Sequence, residues 1–326
     1  MTLPKVELHV HLEGTATPEL VRRLADRNRV ALPDRLLDAD GRFAYGDFLH
    51  FLRTYDLAAS VIRTPRDYRD ITYEYLSACA REGAIYVELT ASPDHAAVVG
   101  LTDGEELDGI AQGIEDARRD HEIEARILVV AIRDLGPARA ARIARLAAAR
   151  AHPHVVGFSM AGDEAGYPAE QFADAYAIAA AAGLGCTMHA GEWAGADSVR
   201  GTLTLPVTRI AHGVRAIEDP GLVAELARRG IVLDTCPTSN VVLGVFRSYE
   251  EHPLPRLRDA GVRLTLGSDD PPYFGATIGG EYRACAERMG FSETQLRAIT
   301  DTAVDAAFCD DDLKRDLRAR LRPVGG

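Results

Sequence analysis

Residues 5–14 read KVELHVHLEG and place two histidines, His9 and His11, two positions apart inside an apolar stretch typical of a β-strand. Side chains at positions i and i+2 of a strand point to the same face, so the two imidazoles are expected to lie close together. Two neutral imidazole nitrogens supply half of a tetrahedral zinc site. The pair therefore predicts a metal site at the end of the first strand, provided that other segments supply the remaining ligands.

Strand-like and helix-like segments alternate along the rest of the 326-residue chain. Helical periodicity is present, for example, at 18–28, 136–151, 169–183 and 218–230. Eight strands alternating with helices over roughly 250 residues predict an α/β fold of the (β/α)₈ TIM-barrel type, with a doubly wound open sheet as the alternative. The eight β-rich runs are 5–12, 84–92, 124–132, 154–162, 184–192, 207–213, 230–240 and 261–270.

Two segments exceed this simple repeat. Residues 34–82 are much longer than one crossover helix, and we expect them to form a helical insertion after the first strand, over the mouth of the barrel. Residues 291–322 predict further C-terminal helices that close the barrel. No linker, low-complexity tract or internal repeat divides the sequence, so residues 1–326 are predicted to form a single domain.

The composition limits the classes of function. The chain has 49 acidic and 37 basic residues, a formal net charge of −12, which argues against a nucleic-acid partner. No apolar run is long enough to span a bilayer, and no secretory signal is visible, so no membrane partner is expected. The sequence leaves the oligomeric state open. The cysteines have no CxxC spacing and an odd count, which favours a cytoplasmic location with reduced thiols: Cys79, Cys186, Cys236, Cys285 and Cys309.

Polar residues interrupt the apolar pattern at the predicted carboxyl ends of the strands, where barrels of this type place their active sites. His189 ends the fifth strand, and Asp269 follows the eighth. Zinc takes three or four protein ligands, and a catalytic zinc keeps a position for water. The candidate ligands are therefore His9, His11, His189 and Asp269, and we expect one Zn²⁺ ion per chain.

Two further side chains at the strand ends can act beside such an ion. Glu192 lies three residues beyond His189, close enough to reach the water or the substrate, and His212 at the end of the sixth strand can hold the water. The remaining histidines lie in predicted helices or loops, and we interpret them as surface or packing residues: His50, His95, His121, His152, His154 and His252.

Six short motifs occur in an order that resembles the adenosine/adenine deaminase family of metal-dependent hydrolases, and the resemblance runs from residue 4 to about residue 320. These motifs are HVHLEG at 9–14, AGDE at 161–164, HAGE at 189–192, HG at 212–213, CPTSN at 236–240 and SDDP at 268–271. The resemblance implies a barrel that holds one zinc ion and hydrolyses the 6-amino group of a purine to a 6-oxo group, with release of ammonia. The substrate partner would then be a small-molecule purine.

The resemblance also implies roles for individual residues. The zinc ligands would be His9, His11, His189 and Asp269, with Glu192, His212 and Asp270 as catalytic residues. The substrate would be bound by His11, by the backbone of Gly162 at purine N3, by Asp270 at N7 and by Glu13, which falls where nucleoside-specific members have an aspartate that contacts the ribose.

Elementary chemistry agrees with these roles. Zinc lowers the pKa of water to about 7, so hydroxide forms readily near neutral pH. Addition of hydroxide to C6 breaks the aromaticity of the purine unless N1 is protonated. A carboxylic acid near N1 is therefore needed, and Glu192 is the expected donor.

Two other zinc chemistries fit the sequence less well. Cytidine-deaminase-type enzymes use P-C-x-x-C with H-x-E, and the chain has no PCxxC. Dinuclear amidohydrolases of similar barrel type bridge their metals with a carboxylated lysine from mid-barrel. The only lysines, Lys5 and Lys314, stand at opposite ends of the chain. One metal ion is therefore expected, with Fe²⁺, Co²⁺ or Mn²⁺ as alternatives to Zn²⁺.

The substrate is the least determined feature. We expect adenosine, converted to inosine, because the segment around the second strand resembles the nucleoside enzymes and Glu13 keeps an acceptor at the corresponding strand end. Free adenine is the alternative, because Glu13 is one methylene longer than the usual aspartate. A modified adenosine such as aminodeoxyfutalosine fits the same chemistry, and a non-catalytic barrel that binds a partner is the alternative from a different class.

Overall fold

The computed structural model describes residues 3–102, 104–149 and 152–322. Within these residues nine strands form two sheets in which every neighbouring pair is parallel. The strands are β1 (Lys5–His11), β2 (Ala84–Ala91), β3 (Glu124–Ile132), β4 (Val155–Ala161), β5 (Gly185–Cys186), β6 (His189–Ala190), β7 (Arg209–His212), β8 (Val232–Thr235) and β9 (Arg263–Leu266).

The two sheets join into one closed barrel. The first has the order β1-β2-β3-β4-β5 and the second β6-β7-β8-β9, and β5 and β6 together occupy the fifth position of an eight-membered ring. The ring closes where Val10 of β1 forms a parallel bridge with Asp269, and the N–H of His11 donates to the Asp269 carbonyl at 3.0 Å. This closure confirms the (β/α)₈ barrel, and the open-sheet alternative is wrong because the first and last strands pair.

Helices follow most of the strands and cover the barrel. The segments predicted at 18–28, 136–151, 169–183 and 218–230 contain α1, α6, α7 and α9. The helices are α1 (Pro18–Asn28), α2 (Phe48–Ala59), α3 (Pro65–Arg81), α4 (Pro93–Val98), α5 (Glu105–His121), α6 (Pro137–Ala148), α7 (Ala173–Ala181), α8 (Ala196–Thr202), α9 (Pro220–Arg229), α10 (Pro237–Val242), α11 (Leu254–Asp259), α12 (Pro271–Phe274), α13 (Ile278–Arg288), α14 (Glu293–Ala306) and α15 (Asp311–Leu321).

The barrel strands are buried on both faces. All eight residues of β2 are buried, because one face points into the barrel and the other packs beneath α3 and α15. The barrel also encloses the guanidinium of Arg209, which forms ion pairs with Glu88 at 2.6 Å and Asp234 at 2.9 Å and lies over the ring of Phe308. The two carboxylates compensate the charge of the guanidinium, which would be strongly destabilising if it were buried without partners.

The two segments that exceeded the repeat occupy different places. Within residues 34–82, α2 lies at the barrel mouth, where Phe48 packs on Trp193 with a centroid separation of 4.5 Å. The second helix of this segment, α3, packs against α5 in the outer layer, so only part of the segment covers the mouth. The predicted C-terminal helices are present as α14 and α15, and α14 packs against β9 and β1. None of the helices in the described residues is long and apolar enough to cross a membrane.

Candidate active site

Four predicted ligand side chains converge at the carboxyl ends of the strands. The Nε2 atoms of His9 and His11 each lie 3.1 Å from Nε2 of His189. The Oδ1 atom of Asp269 lies 3.3 Å from Nε2 of His9 and 3.5 Å from Nε2 of His11. All four residues are buried or nearly so. The i, i+2 pair of β1 thus meets His189 of β6 and Asp269, which lies three residues after the end of β9.

The hydrogen bonds behind these rings determine which nitrogens face each other. Nδ1 of His9 donates to the carbonyl of Asp234 at 3.0 Å, and Nδ1 of His189 donates to the carbonyl of Met160 at 2.9 Å. In the neutral rings both Nε2 atoms therefore carry lone pairs and cannot bond to each other across 3.1 Å. Nitrogen ligands of a tetrahedral zinc ion lie roughly 3.3 Å apart. This donor set fits a divalent ion held between the rings.

The backbone is strained at two of the candidate site residues. His212 has φ 61° and Asp269 φ 64°, in the left-handed region that non-glycine residues adopt infrequently. The carboxylate of Asp269 is further fixed by Ser239, whose hydroxyl donates to Oδ2 at 2.7 Å. Both side chains therefore point into the site from a backbone conformation that costs free energy and is held by the surrounding contacts.

Glu192 and His212 lie beside the ligand cluster. Oε2 of Glu192 is 3.6 Å from Nε2 of His212, which is in turn 3.8 Å from Oδ2 of Asp269. Burial raises the pKa of Glu192 well above its usual range, and the carboxylates of Asp269 and Glu164 raise it further. Burial lowers the pKa of His212 to about 3. At neutral pH this environment favours a carboxylic acid beside a neutral imidazole.

A cavity of about 410 Å³ opens beside this cluster. Its lining includes His11, Glu192 and the two residues expected to hold the purine, Gly162 and Asp270. Gly162 has φ 107°, and an added Cβ would lie 2.2 Å from the Asp134 carboxylate, so only glycine fits there. The Oδ1 atom of Asp270 is buried without a hydrogen-bond partner among the described residues. Burial and the neighbouring carboxylates of Asp269 and Glu192 raise the pKa of Asp270.

The sequence led us to expect Glu13 at the substrate cavity, but its side chain does not line the cavity. It is absent from the cavity lining, which includes Ser92 and Tyr55 instead. The N–H of Ser92 donates to Oε1 of Glu13 at 3.0 Å, and the hydroxyl of Tyr55 lies 3.5 Å from Oε2. Glu13 is 2% exposed, and burial raises its pKa. Its carboxylate is therefore already bonded behind the wall of the cavity, because β1 turns into a short 3₁₀ segment at residues 13–15.

Several residues that support the site had no predicted role. Glu164, the last residue of the AGDE motif, accepts the backbone N–H groups of the HAGE loop. Arg133 donates to the carbonyls of His189 at 2.6 Å and Tyr167 at 3.1 Å. His252, interpreted from the sequence as a surface or packing residue, is buried and bonded to Asn240. The motif around Glu164 was a usable signal, whereas nothing in the sequence separates Arg133 and His252 from other arginines and histidines.

Comparison with known proteins identifies the family. The adenosine deaminase family model matches residues 4–324. The chain belongs to the adenosine deaminase family. It is 47% identical to an adenine deaminase of Chelativorans sp. (strain BNC1) over 99% of both chains. This membership confirms the resemblance drawn from the six motifs.

Solved structures that share the fold include two at 29% identity. The adenine deaminase of Arthrobacter aurescens superposes with a TM-score of 0.92 at 29% identity, covering 98% of each chain. An amidohydrolase from Burkholderia ambifaria, crystallised with bound zinc, gives a TM-score of 0.90 at 29% identity and covers 99% of this chain and 90% of that one.

The family defines the reaction class. The chain is a hydrolase that acts on carbon–nitrogen bonds of cyclic amidines and deaminates an aminopurine. The alternative of a non-catalytic binder therefore has no support. The expected preference for adenosine over adenine is likewise unsupported, because the curated relative at 47% identity is an adenine deaminase.

Proposed function

We propose that this chain hydrolyses adenine to hypoxanthine and ammonia. The observation that carries the proposal is the engagement of Glu13, whose carboxylate already accepts the N–H of Ser92 and faces the hydroxyl of Tyr55. A site for adenosine needs an acceptor free to bond the ribose hydroxyls. In a site for nucleosides this acceptor is left without a partner when the base binds alone, and the cost of the unpaired acceptor makes the site prefer the nucleoside.

Two further facts support the free base. Glu13 lies behind Tyr55 and Ser92 rather than in the cavity lining, so a ribose would have to displace these residues before it could reach the carboxylate. Relatives that are 44–47% identical over nearly the whole chain are also adenine deaminases. Both facts favour a substrate that ends at the purine ring.

One Zn²⁺ ion would be held by His9, His11, His189 and Asp269. When bound, a divalent ion at this position lowers the pKa of water and supplies a hydroxide nucleophile near neutral pH. The neighbouring amidohydrolase with bound zinc supports this identity for the ion. Neither lysine of the sequence lies in the cavity lining, so no carboxylated lysine is available there to bridge a second metal.

The chain's own residues would carry the remaining steps. Gly162 donates its backbone N–H to N3, and Asp270, protonated in its buried position, donates to N7. Glu192 gives its proton to N1, so that C6 accepts the oxygen of water without leaving a negative charge on the ring. His212 orients the water. One proton of the water returns to Glu192 and the other passes to the amino group. The C6–N6 bond then breaks, ammonia leaves, and the 6-oxo group remains on a ring that keeps the proton at N1.

The test is a deamination screen with zinc-loaded protein. Adenine, adenosine, deoxyadenosine and aminodeoxyfutalosine are compared by kcat/KM, with Glu192→Gln protein as the control for contaminating deaminases. We expect adenine to exceed each nucleoside by at least about 100-fold. A nucleoside that is deaminated as fast as adenine or faster contradicts the proposal.

A further inference from the structure

A chain of hydrogen bonds runs from His212 away from the cavity into the protein. Nδ1 of His212 lies 3.3 Å from Nδ2 of Asn240, and Oδ1 of Asn240 lies 3.1 Å from Nε2 of His252. The chain ends at the backbone of Leu254, whose N–H donates to Nδ1 of His252 at 3.2 Å. Asn240 and His252 are almost completely buried, so water does not compete for these bonds.

The backbone N–H at the end of the chain determines the direction of every bond in it. Because Nδ1 of His252 accepts from Leu254, neutral His252 must carry its proton on Nε2 and donate it to Asn240. The amide of Asn240 then accepts through Oδ1 and donates through Nδ2 to Nδ1 of His212. His212, accepting at Nδ1, carries its own proton on Nε2.

The opposite orientation of the Asn240 amide is incompatible with this arrangement. A flipped amide would donate to Nε2 of His252 while Leu254 donates to Nδ1 of the same ring. A neutral imidazole has only one acceptor nitrogen, so both bonds cannot form. Burial lowers the pKa of His252 to about 3, which keeps the ring neutral over the working range of pH.

We propose that Asn240 and His252 are positioning residues that hold His212 in the tautomer with its proton on Nε2, so that His212 donates a hydrogen bond at the cavity and does not accept one. This inference rests on the proposed function. The Nε2–H faces the carboxyl groups of Glu192 at 3.6 Å and Asp269 at 3.8 Å, where the attacking water would lie. Neutral His212 in this tautomer cannot take the proton of the water, and its task is to orient and stabilise the oxygen.

The decisive variant is Asn240→Asp, which keeps the shape of the side chain but can only accept. His212 must then donate through Nδ1, so the neutral ring loses its proton at Nε2. We expect kcat for adenine to fall by about 10²-fold or more while KM changes only a few-fold, since a catalytic histidine held in the wrong tautomer can cost about 10⁴ in kcat. Zinc content and the thermal midpoint should stay close to wild type.

A second pair of variants tests His252. His252→Phe fills the space of the ring but cannot donate to Asn240, so we expect a loss in kcat of about tenfold or more. His252→Gln retains a donor for Asn240 and an acceptor for Leu254, and should recover most of that loss. A purely structural role for His252 predicts equal kcat in the two variants and overturns the proposal.

The tautomer can be observed without substrate. Nitrogen-15 NMR of histidine-labelled, zinc-loaded protein should show His212 protonated at Nε2 and unprotonated at Nδ1, with Nδ1 protonated in Asn240→Asp. A proton on Nδ1 of His212 in the wild-type protein refutes the inference. This readout is independent of the substrate, so a protein inactive on adenine would contradict the proposed function and leave the tautomer question answered.

Discussion

The carboxylate of Glu164 accepts a hydrogen bond from the backbone N–H of Trp193 at 2.8 Å. The same side chain accepts from the N–H groups of Gly191, Glu192 and Ala194. Four successive backbone donors thus converge on one buried carboxylate that follows β4. This contact fixes the loop that carries Glu192, so the proposed proton donor is positioned by a residue in the loop that follows a different strand.

Removal of this carboxylate should damage both folding and turnover. In Glu164→Ala four backbone donors lose their acceptor, and an unsatisfied buried donor costs about 1–3 kcal/mol. We expect a lower urea midpoint and a fall in kcat of about tenfold or more. Glu164→Gln keeps one oxygen, which can accept the three N–H groups that donate to Oε2 in the wild-type protein. Its urea midpoint and its kcat should therefore lie between those of wild type and Glu164→Ala. Equal effects of Ala and Gln would contradict this account.

Glu192→Gln tests the proton donor. The amide has the size of the acid but cannot release a proton to N1, and loss of a general acid typically reduces the rate by about 10²–10⁴. We expect kcat to fall in that range while zinc content and adenine binding, measured by calorimetry, remain near wild type. Glu225→Gln on the outer helix α9 is the matched control. Turnover close to wild type in Glu192→Gln would remove this residue from its role.

Metal removal should inactivate and destabilise the protein. Without an ion the lone pairs on Nε2 of His9 and Nε2 of His189 face each other at 3.1 Å and repel. An ion that binds only the folded state also adds to the unfolding free energy by mass action. We expect elemental analysis to give one zinc per chain, and chelation to abolish deamination and lower the thermal midpoint, both restored by zinc. Two ions per active chain, or full activity without metal, would contradict the site.

Glu13 should control selectivity through the space it fills. Glu13→Gln preserves the volume and the acceptor for Ser92, so we expect the preference for adenine over adenosine to persist. Glu13→Ala opens the wall behind Tyr55, and its selectivity, measured as the ratio of the two kcat/KM values, should narrow by about tenfold or more. An identical ratio in both variants would show that Glu13 does not exclude the ribose.

Glu281, which accepts the backbone N–H of Thr238 at 3.2 Å, gives a prediction on how stability depends on pH. Burial raises the pKa of its carboxyl from 4.5 to about 8 in the folded protein. Between pH 4.5 and 8 the folded protein keeps this proton while the unfolded chain has released it. The contribution of Glu281 to stability is therefore full below pH 4.5 and is lost as the pH rises to 8. Glu281→Gln has no carboxyl proton to release, so this dependence on pH disappears. Its unfolding free energy, measured by urea titration, should match wild type at pH 4.5 and exceed it by a few kcal/mol at pH 8. A constant difference across this range would refute the shift.

The order of motifs along the chain was enough to predict the ring of strands and the meeting of three histidines with Asp269. The i, i+2 histidine pair of β1 must share a face because strand side chains alternate. His189 and Asp269 end or follow buried parallel strands, whose carboxyl ends meet at one edge of the barrel. Local periodicity and covalent spacing carry this information, so the barrel and the histidine–aspartate cluster could be predicted before any contact was known.

Tertiary contacts, in contrast, determine which polar side chains already have hydrogen-bond partners inside the protein. The direction of Glu13, away from the cavity and toward Tyr55 and Ser92, depends on contacts with residues that lie 42 and 79 positions further along the chain. The contact between Asn240 and His252 likewise depends on how α10 and the loop before α11 pack. A hydrogen bond is a pairwise relation in space, and its partner is not encoded by the spacing of either residue along the chain.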